Sequence, residues 1–137
     1  MIYAVIDTNV VVSALLARRA DSPPVQIVGK IFSGDIISLY SRKILDEYYS
    51  VLRREKFSFS EPAINAMIGA IEQYGVLVEP KTVDEILSDM KDMPFYAVAL
   101  EKQSDAAYLV TGNLKHFPSK SFIVTAKQML DILNSAY

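Results

Sequence analysis

Residues 2–9, IYAVIDTN, decide the fold. Ile2, Tyr3, Val5 and Ile6, with Ala4 among them, form a short apolar run rich in β-branched residues. Such a run, apolar throughout rather than alternating, reads as a strand covered on both faces. It runs straight into Asp7, Thr8 and Asn9, and the apolar stretch Val10–Leu16 then reads as a helix. Strand, polar turn and helix in that order are the first unit of a parallel α/β layout. A carboxylate at this turn has two readings. It caps the helix that follows, or it holds a metal at the edge of the sheet.

Working outward, the same alternation continues. Ser22 and Pro23 are a cap and first-turn proline for a helix through Phe32, which Gly34 stops. Ile36–Tyr40 is a second strand, and Ser41 caps a helix over Arg42–Arg54. Ser60 and Pro62 open a helix to Tyr74, and Gly75 leads into a strand over Val76–Val78. The spacing also allows a short helix over Val83–Leu87. Asp92 and Pro94 introduce a helix to Lys102, followed by strands over Ala107–Val110 and Phe122–Val124. Thr125 caps a last helix, Ala126–Leu133. No repeat, low-complexity tract or linker interrupts the pattern. The expected fold class is α/β: one domain over 1–137, a single doubly wound parallel sheet of four to five strands flanked by helices.

Composition narrows the chemistry. The chain has no cysteine and one histidine, His116, so a thiolate nucleophile and a multi-histidine zinc site are both excluded. Any metal would be held by oxygen, which points to Mg²⁺ or Mn²⁺. The net charge is −2, so nucleic-acid binding would rest on local basic clusters. No apolar run reaches the ~20 residues of a membrane span. No basic region precedes the first apolar stretch, so it does not read as a signal peptide, and a cytoplasmic location is expected.

Ligand sites in open parallel sheets lie beyond the carboxyl ends of the strands. Asp7-Thr8-Asn9 follows the first strand, and Ser41, Arg42 and Lys43 follow the second. Thr111-Gly112-Asn113 follows the strand at Ala107–Val110, and Asp92, with Asp89 before it, precedes the helix that feeds that strand. On the third helix Ile44, Leu45, Tyr48, Val51 and Leu52 make the apolar stripe. Glu47 borders that stripe in the second turn, where it can lean over the sheet edge, while Asp46 points away. Each residue has an ordinary structural reading: Asp7 and Asp92 as caps, Glu47 as a solvated flank residue, Thr111-Gly112-Asn113 as a turn. Their convergence on one edge is what those readings leave unexplained. Several carboxylates together repel unless a cation neutralises them.

The order of these motifs resembles the PIN-domain family, metal-dependent nucleases of which many are toxins of bacterial toxin–antitoxin pairs (the VapC-like toxins). The resemblance rests on the strand into Asp7-Thr8-Asn9, on Ser41 to Glu47, on Asp89 to Phe95, and on Tyr108 to Asn113. It implies Asp7, Glu47 and Asp92 as the acidic metal-binding set, with Asn9, Thr111 and Ser41 orienting it. Where many members of the family carry a fourth acid, this chain has Asn113, whose amide oxygen can ligate but brings no charge. Asp89 is a further candidate ligand. The implied substrate is RNA, with Arg42, Lys43 and Lys115 as candidate phosphate contacts. His116, beside Phe117 and Pro118, reads as a structural histidine in a turn, with general acid as the alternative.

The leading expectation is therefore a Mg²⁺- or Mn²⁺-dependent ribonuclease, the toxin of a pair, bound by a small antitoxin protein and paired as a homodimer. The homodimer follows from Val10–Leu16, more apolar than one helix face requires. Two alternatives stand beside it. A metal-dependent phosphatase or phosphotransferase would use Asp7 as a nucleophile. A non-catalytic module would keep the fold and bind RNA or protein.

Overall fold

The structure is a computed structural model that describes residues 1–136. Five strands form one parallel sheet in the order β3-β2-β1-β4-β5. They are β1 (Ile2–Ile6), β2 (Ile36–Tyr40), β3 (Val76–Leu77), β4 (Tyr108–Val110) and β5 (Ile123–Val124). The helices are α1 (Thr8–Leu16), α2 (Pro23–Ser33), α3 (Arg42–Leu52), α4 (Glu61–Tyr74), α5 (Met93–Glu101) and α6 (Ala126–Ala136). The central strand β1 is buried on both faces at Ala4, Val5 and Ile6, as its unbroken apolar run requires. α5 lies over β2, β1 and β4, while α2 and α4 pack against β2.

The local signals act as read in several places. Ser41 Oγ accepts the Ile44 N–H at 3.2 Å, and Ser60 Oγ accepts the Ala63 N–H at 3.2 Å. Thr125 and Gln128 form a reciprocal cap at the start of α6. Gly34 takes φ of +84° to end α2, a conformation other residues adopt at a cost. Gly75 is required for a different reason. A Cβ there would stand 2.4 Å from the Ile71 and Ser38 carbonyl oxygens, so only glycine lets the chain turn from α4 into β3.

Three expectations need correction. Ser22 stands at the cap position of α2, but its hydroxyl makes no cap bond. α1 starts at Thr8, two residues before Val10, so the polar turn is already the first turn of the helix. The short helix over Val83–Leu87 does not form; residues 78–87 carry no helix or strand. Val83 and Leu87 do pack inward, but as points of an irregular strap along α5. That strap is held by Glu101 Oε1, which accepts the Lys81 N–H at 3.0 Å, and by Glu85, which accepts the Tyr96 hydroxyl at 2.8 Å. Ile86, between them, is 88% exposed, which no amphipathic turn would leave so. No helix among the described residues is long and apolar enough to cross a membrane.

Candidate active site

The strand order reverses between β1 and β4: from β1 the chain builds outward to β2 and β3, then crosses to β4 and β5. Open α/β sheets carry their crevices at such a point, beyond the carboxyl ends of the strands. Ile6 pairs with Val110, and the Asp7 N–H continues the ladder to the Val110 carbonyl at 2.9 Å. This register sets Asp7 and Thr111 side by side, and the Thr111 hydroxyl donates to Asp7 Oδ2 at 2.8 Å. Asp7 occupies the cap position of α1, yet its side chain makes no cap bond. Asp92 precedes α5 and likewise caps nothing. The capping readings of both acids are thereby set aside.

Asp7 is 6% exposed. Burial, chiefly, pushes its carboxyl up to about 6, and the charges of Asp92 and Glu47 add to the rise; the Thr111 hydroxyl and the Thr8 amide pull the other way. Glu47 stands in the second turn of α3, half-buried, and accepts the Thr8 hydroxyl. Asp46 is exposed, as the helix stripe requires. Next to Glu47, the fully buried Tyr48 donates its hydroxyl to the carbonyl of Ile6, the residue before Asp7. Burial and the nearby Asp7 and Glu47 carboxylates hold that phenol well above its ordinary range. Tyr48 thus braces the end of β1 from below.

Asp92 closes a single 3₁₀ turn, Met90–Asp92, that leads into α5. Its carboxyl is raised by burial; His116 opposes the rise, while Asp89 and Glu47 add to it. His116 Nδ1 lies 3.2 Å from Asp92 Oδ2. The contact is within ion-pair range but not aligned as a hydrogen bond, and that buried oxygen has no hydrogen-bond partner among the described residues. Asp89 caps the 3₁₀ turn, accepting the Lys91 N–H at 2.9 Å. Asn9 Oδ1 accepts the Gly112 N–H at 3.0 Å, tying α1 to the turn after β4. Asn113 donates its N–H to Thr111 Oγ1 at 3.0 Å, and its side-chain nitrogen lies 2.8 Å from His116 Nε2. Ser41 is occupied as the cap of α3, and no hydrogen bond among the described residues joins it to the acids.

An open hollow of about 370 Å³ is lined by Asp7, Thr8, Asn9, Val12, Ser13, Glu47, Val51, Arg54 and Phe57. Arg54 was not placed at this edge by the sequence, nor was Thr8 recognised as the partner of Glu47. Both follow from helix ends meeting in space, a signal that spacing within one helix does not carry. Arg42 and Lys43 instead line a separate groove with Lys81, and Lys115 lines a third hollow beside Phe117 and Pro118. His116 sits in a 3₁₀ turn as read, but its contact with Asp92 was not foreseen.

These residues fit a hard divalent cation in chemistry. The donors are carboxylate oxygens that repel one another, and a buried oxygen of Asp92 stands unpartnered. No three His, Cys, Asp or Glu side chains among the described residues form a ready-made cage for an ion.

A family model described as the PIN domain matches residues 3–115. The chain belongs to the PIN-domain family. The fold is similar to the crystal structure of PAE2754 from Pyrobaculum aerophilum, with a TM-score of 0.60 at 15% identity, covering 98% of this chain and 90% of that one. At that identity the likeness speaks for the fold alone. No curated protein matches the sequence. For a PIN domain, nuclease-type activity, a nucleic-acid substrate and use of a divalent metal follow at the level of the family.

Proposed function

We propose that this PIN domain is a ribonuclease dependent on Mg²⁺ or Mn²⁺, and the toxin of a toxin–antitoxin pair. The observation that carries the reading is Asp7: a buried carboxylate at the strand-order reversal, charged against Asp92 and Glu47, and unused as a cap. Asp7, Asp92 and Glu47 would hold the ion, with Asp89 and Asn113 close by. The ion would neutralise these charges and stabilise the charge that develops on a phosphate under attack. Thr111 fixes one Asp7 oxygen, Asn9 fixes the turn that carries Thr111, and Thr8 fixes Glu47. Arg54, which lines the same hollow, would meet a backbone phosphate of the substrate.

The protein acts as a homodimer through α1 in this reading. Val12 and Leu15 on that helix are only half-buried and Leu16 is exposed, which supports it. A small antitoxin would bring a cation to the acids and cover apolar surface beside them. One observation favours a second reading, a non-catalytic module: Glu47 and Asn113 are both engaged by neighbours, Thr8 and His116. A labelled single-stranded RNA, incubated with parent and Asp7→Asn proteins in Mn²⁺ and in EDTA, separates the two. Cleavage by the parent in Mn²⁺ alone supports the ribonuclease. Cleavage that survives both chelator and substitution overturns the metal mechanism, and none under any condition favours the module.

A further inference from the structure

Between β4 and Phe117 the chain makes one tight turn, and its polar atoms run in a single line from one acid to another. Thr111 Oγ1 donates to Asp7 Oδ2 at 2.8 Å and accepts the Asn113 N–H at 3.0 Å. The Asn113 side-chain nitrogen reaches His116 Nε2 at 2.8 Å, and His116 Nδ1 faces Asp92 Oδ2 at 3.2 Å. Asn113 is thus the source of both arms. Its main-chain N–H feeds the arm to Asp7, and its side-chain amide feeds the arm to Asp92.

Chemistry fixes the direction. With the Asn113 amide nitrogen facing Nε2, the amide donates and Nε2 accepts, which leaves the ring proton of the neutral imidazole on Nδ1. That proton is on the nitrogen 3.2 Å from Asp92 Oδ2, within ion-pair range though not aligned as a hydrogen bond. An aspartate at 113 would have no N–H to give, and a neutral His116 would then be free to turn a bare nitrogen towards a carboxylate. We infer that Asn113 and His116 are positioning residues that orient Asp92 for a divalent cation, Asn113 acting through His116 rather than as a ligand itself. This rests on the proposed metal site. It differs from the sequence-based expectation, in which the Asn113 amide oxygen was itself a candidate ligand.

The test is a double-substitution cycle on Mn²⁺ affinity, read by calorimetry on the parent, Asn113→Ala, His116→Ala and the double variant. Partners behind a metal ligand typically change affinity by ~10–100-fold. Each single substitution is expected to weaken Mn²⁺ by about tenfold, and the double variant no further, because the two act in series. His116→Gln, which offers an acceptor and a donor, should restore most of the affinity. Effects that multiply in the double variant, or no effect of either, overturn the inference. His116 is 46% exposed, so these variants are expected to fold, and melting curves in EDTA check that they do. A metal-free measurement keeps the inference apart from the metal reading. Nitrogen NMR of His116 at pH 8 in EDTA should show the Nδ1–H tautomer in the parent and its loss in Asn113→Ala. A parent in the Nε2–H tautomer overturns the inference whether or not Mn²⁺ binds. If the parent shows the Nδ1–H tautomer but binds no Mn²⁺, the metal reading fails, and with it the role of the pair towards a metal.

Discussion

Two openings lie at the carboxyl edge of this one sheet, and the larger is not the one with the acids. A groove of about 600 Å³ runs between the ends of β2 and β3, the irregular strap and α5. Its floor is apolar, with Val78, Met93, Pro94 and Ala97, and its rim is basic, with Arg42, Lys43 and Lys81. The hollow of about 370 Å³ at the end of β1 is shallower, yet it holds Asp7 and Glu47. The difference is topological. At β1 and β4 the connections leave in opposite directions and the strand ends are left uncovered, so side chains from several elements can meet there. At β2 and β3 the connections keep one direction, and the space is a by-product of how the strap crosses α5. Volume marks where something fits; strand order marks where unlike groups are forced together.

The largest effect expected from this contrast is at Asp7. Asp7→Asn should reduce RNA cleavage to background while leaving the metal-free protein more stable above pH 6. The sign follows from the carboxyl being raised to about 6, so that the folded state holds a proton which the unfolded state has released. Stability from this group is therefore present below the ordinary carboxylate range. It falls by up to about 3 kcal/mol as pH rises through 6. Urea unfolding in EDTA at pH 4 and at pH 7.5 should show the parent losing ground to the variant between the two. A parent that gains on the variant across that window would contradict the burial of this charge.

Gly75→Ala strikes the turn into β3, the strand whose far end borders the other opening. Its Cβ would meet two main-chain carbonyl oxygens, neither of which can swing aside, and overpacking of this kind costs ~1–3 kcal/mol. Melting should report that loss, with cleavage per folded molecule unchanged. A fall in cleavage beyond the folded fraction would mean that the β2–β3 side of the sheet shapes the acid site after all. A smaller effect separates the basic groups. Arg54→Ala should raise KM several-fold and lower the salt dependence of RNA binding by about one unit of slope, as for a lost phosphate contact. If the pair Arg42→Ala, Lys43→Ala does this more strongly than Arg54→Ala, the RNA path runs along the groove. The smallest effect is at Ser41. Ser41→Ala should cost about 1 kcal/mol, the usual worth of a cap, with cleavage intact. A loss of cleavage at unchanged folding would restore Ser41 as a residue that orients the acids.

Much of this architecture could be read along the chain because its signals are local. An unbroken apolar run marks β1, one interrupted only by Ser38 marks β2, and Ser41, Ser60 and Thr125 mark helix starts through bonds to amides three residues on. The strap misled for the same reason: Val83 and Leu87 have the spacing of a helix, but α5 supplies their burial and Glu101 and Tyr96 hold the chain open. Asp7 could be singled out by residue type, as a carboxylate after an apolar strand, and Glu47 by its place on the flank of the α3 stripe. What surrounds them was not. Thr8 meets Glu47 across 39 positions, and the contact of His116 with Asp92 depends on how a turn after β4 folds back over the start of α5. No periodicity encodes such meetings; they exist only once the sheet has its register.

The bond between Thr111 and Asp7 spans 104 positions of the chain. Contacts between residues so far apart in sequence are slow to form, because a long loop must close before they contribute. On a ribosome the acids at positions 7, 47 and 92 emerge before β4, the strand that lies against β1 and leads into Thr111. Until β4 is in place, the growing chain has its carboxylates but no frame to align them. The proposed substrate is RNA, and the machine that makes the chain is built largely of RNA. The order of synthesis keeps the site unassembled until translation has passed its last structural part.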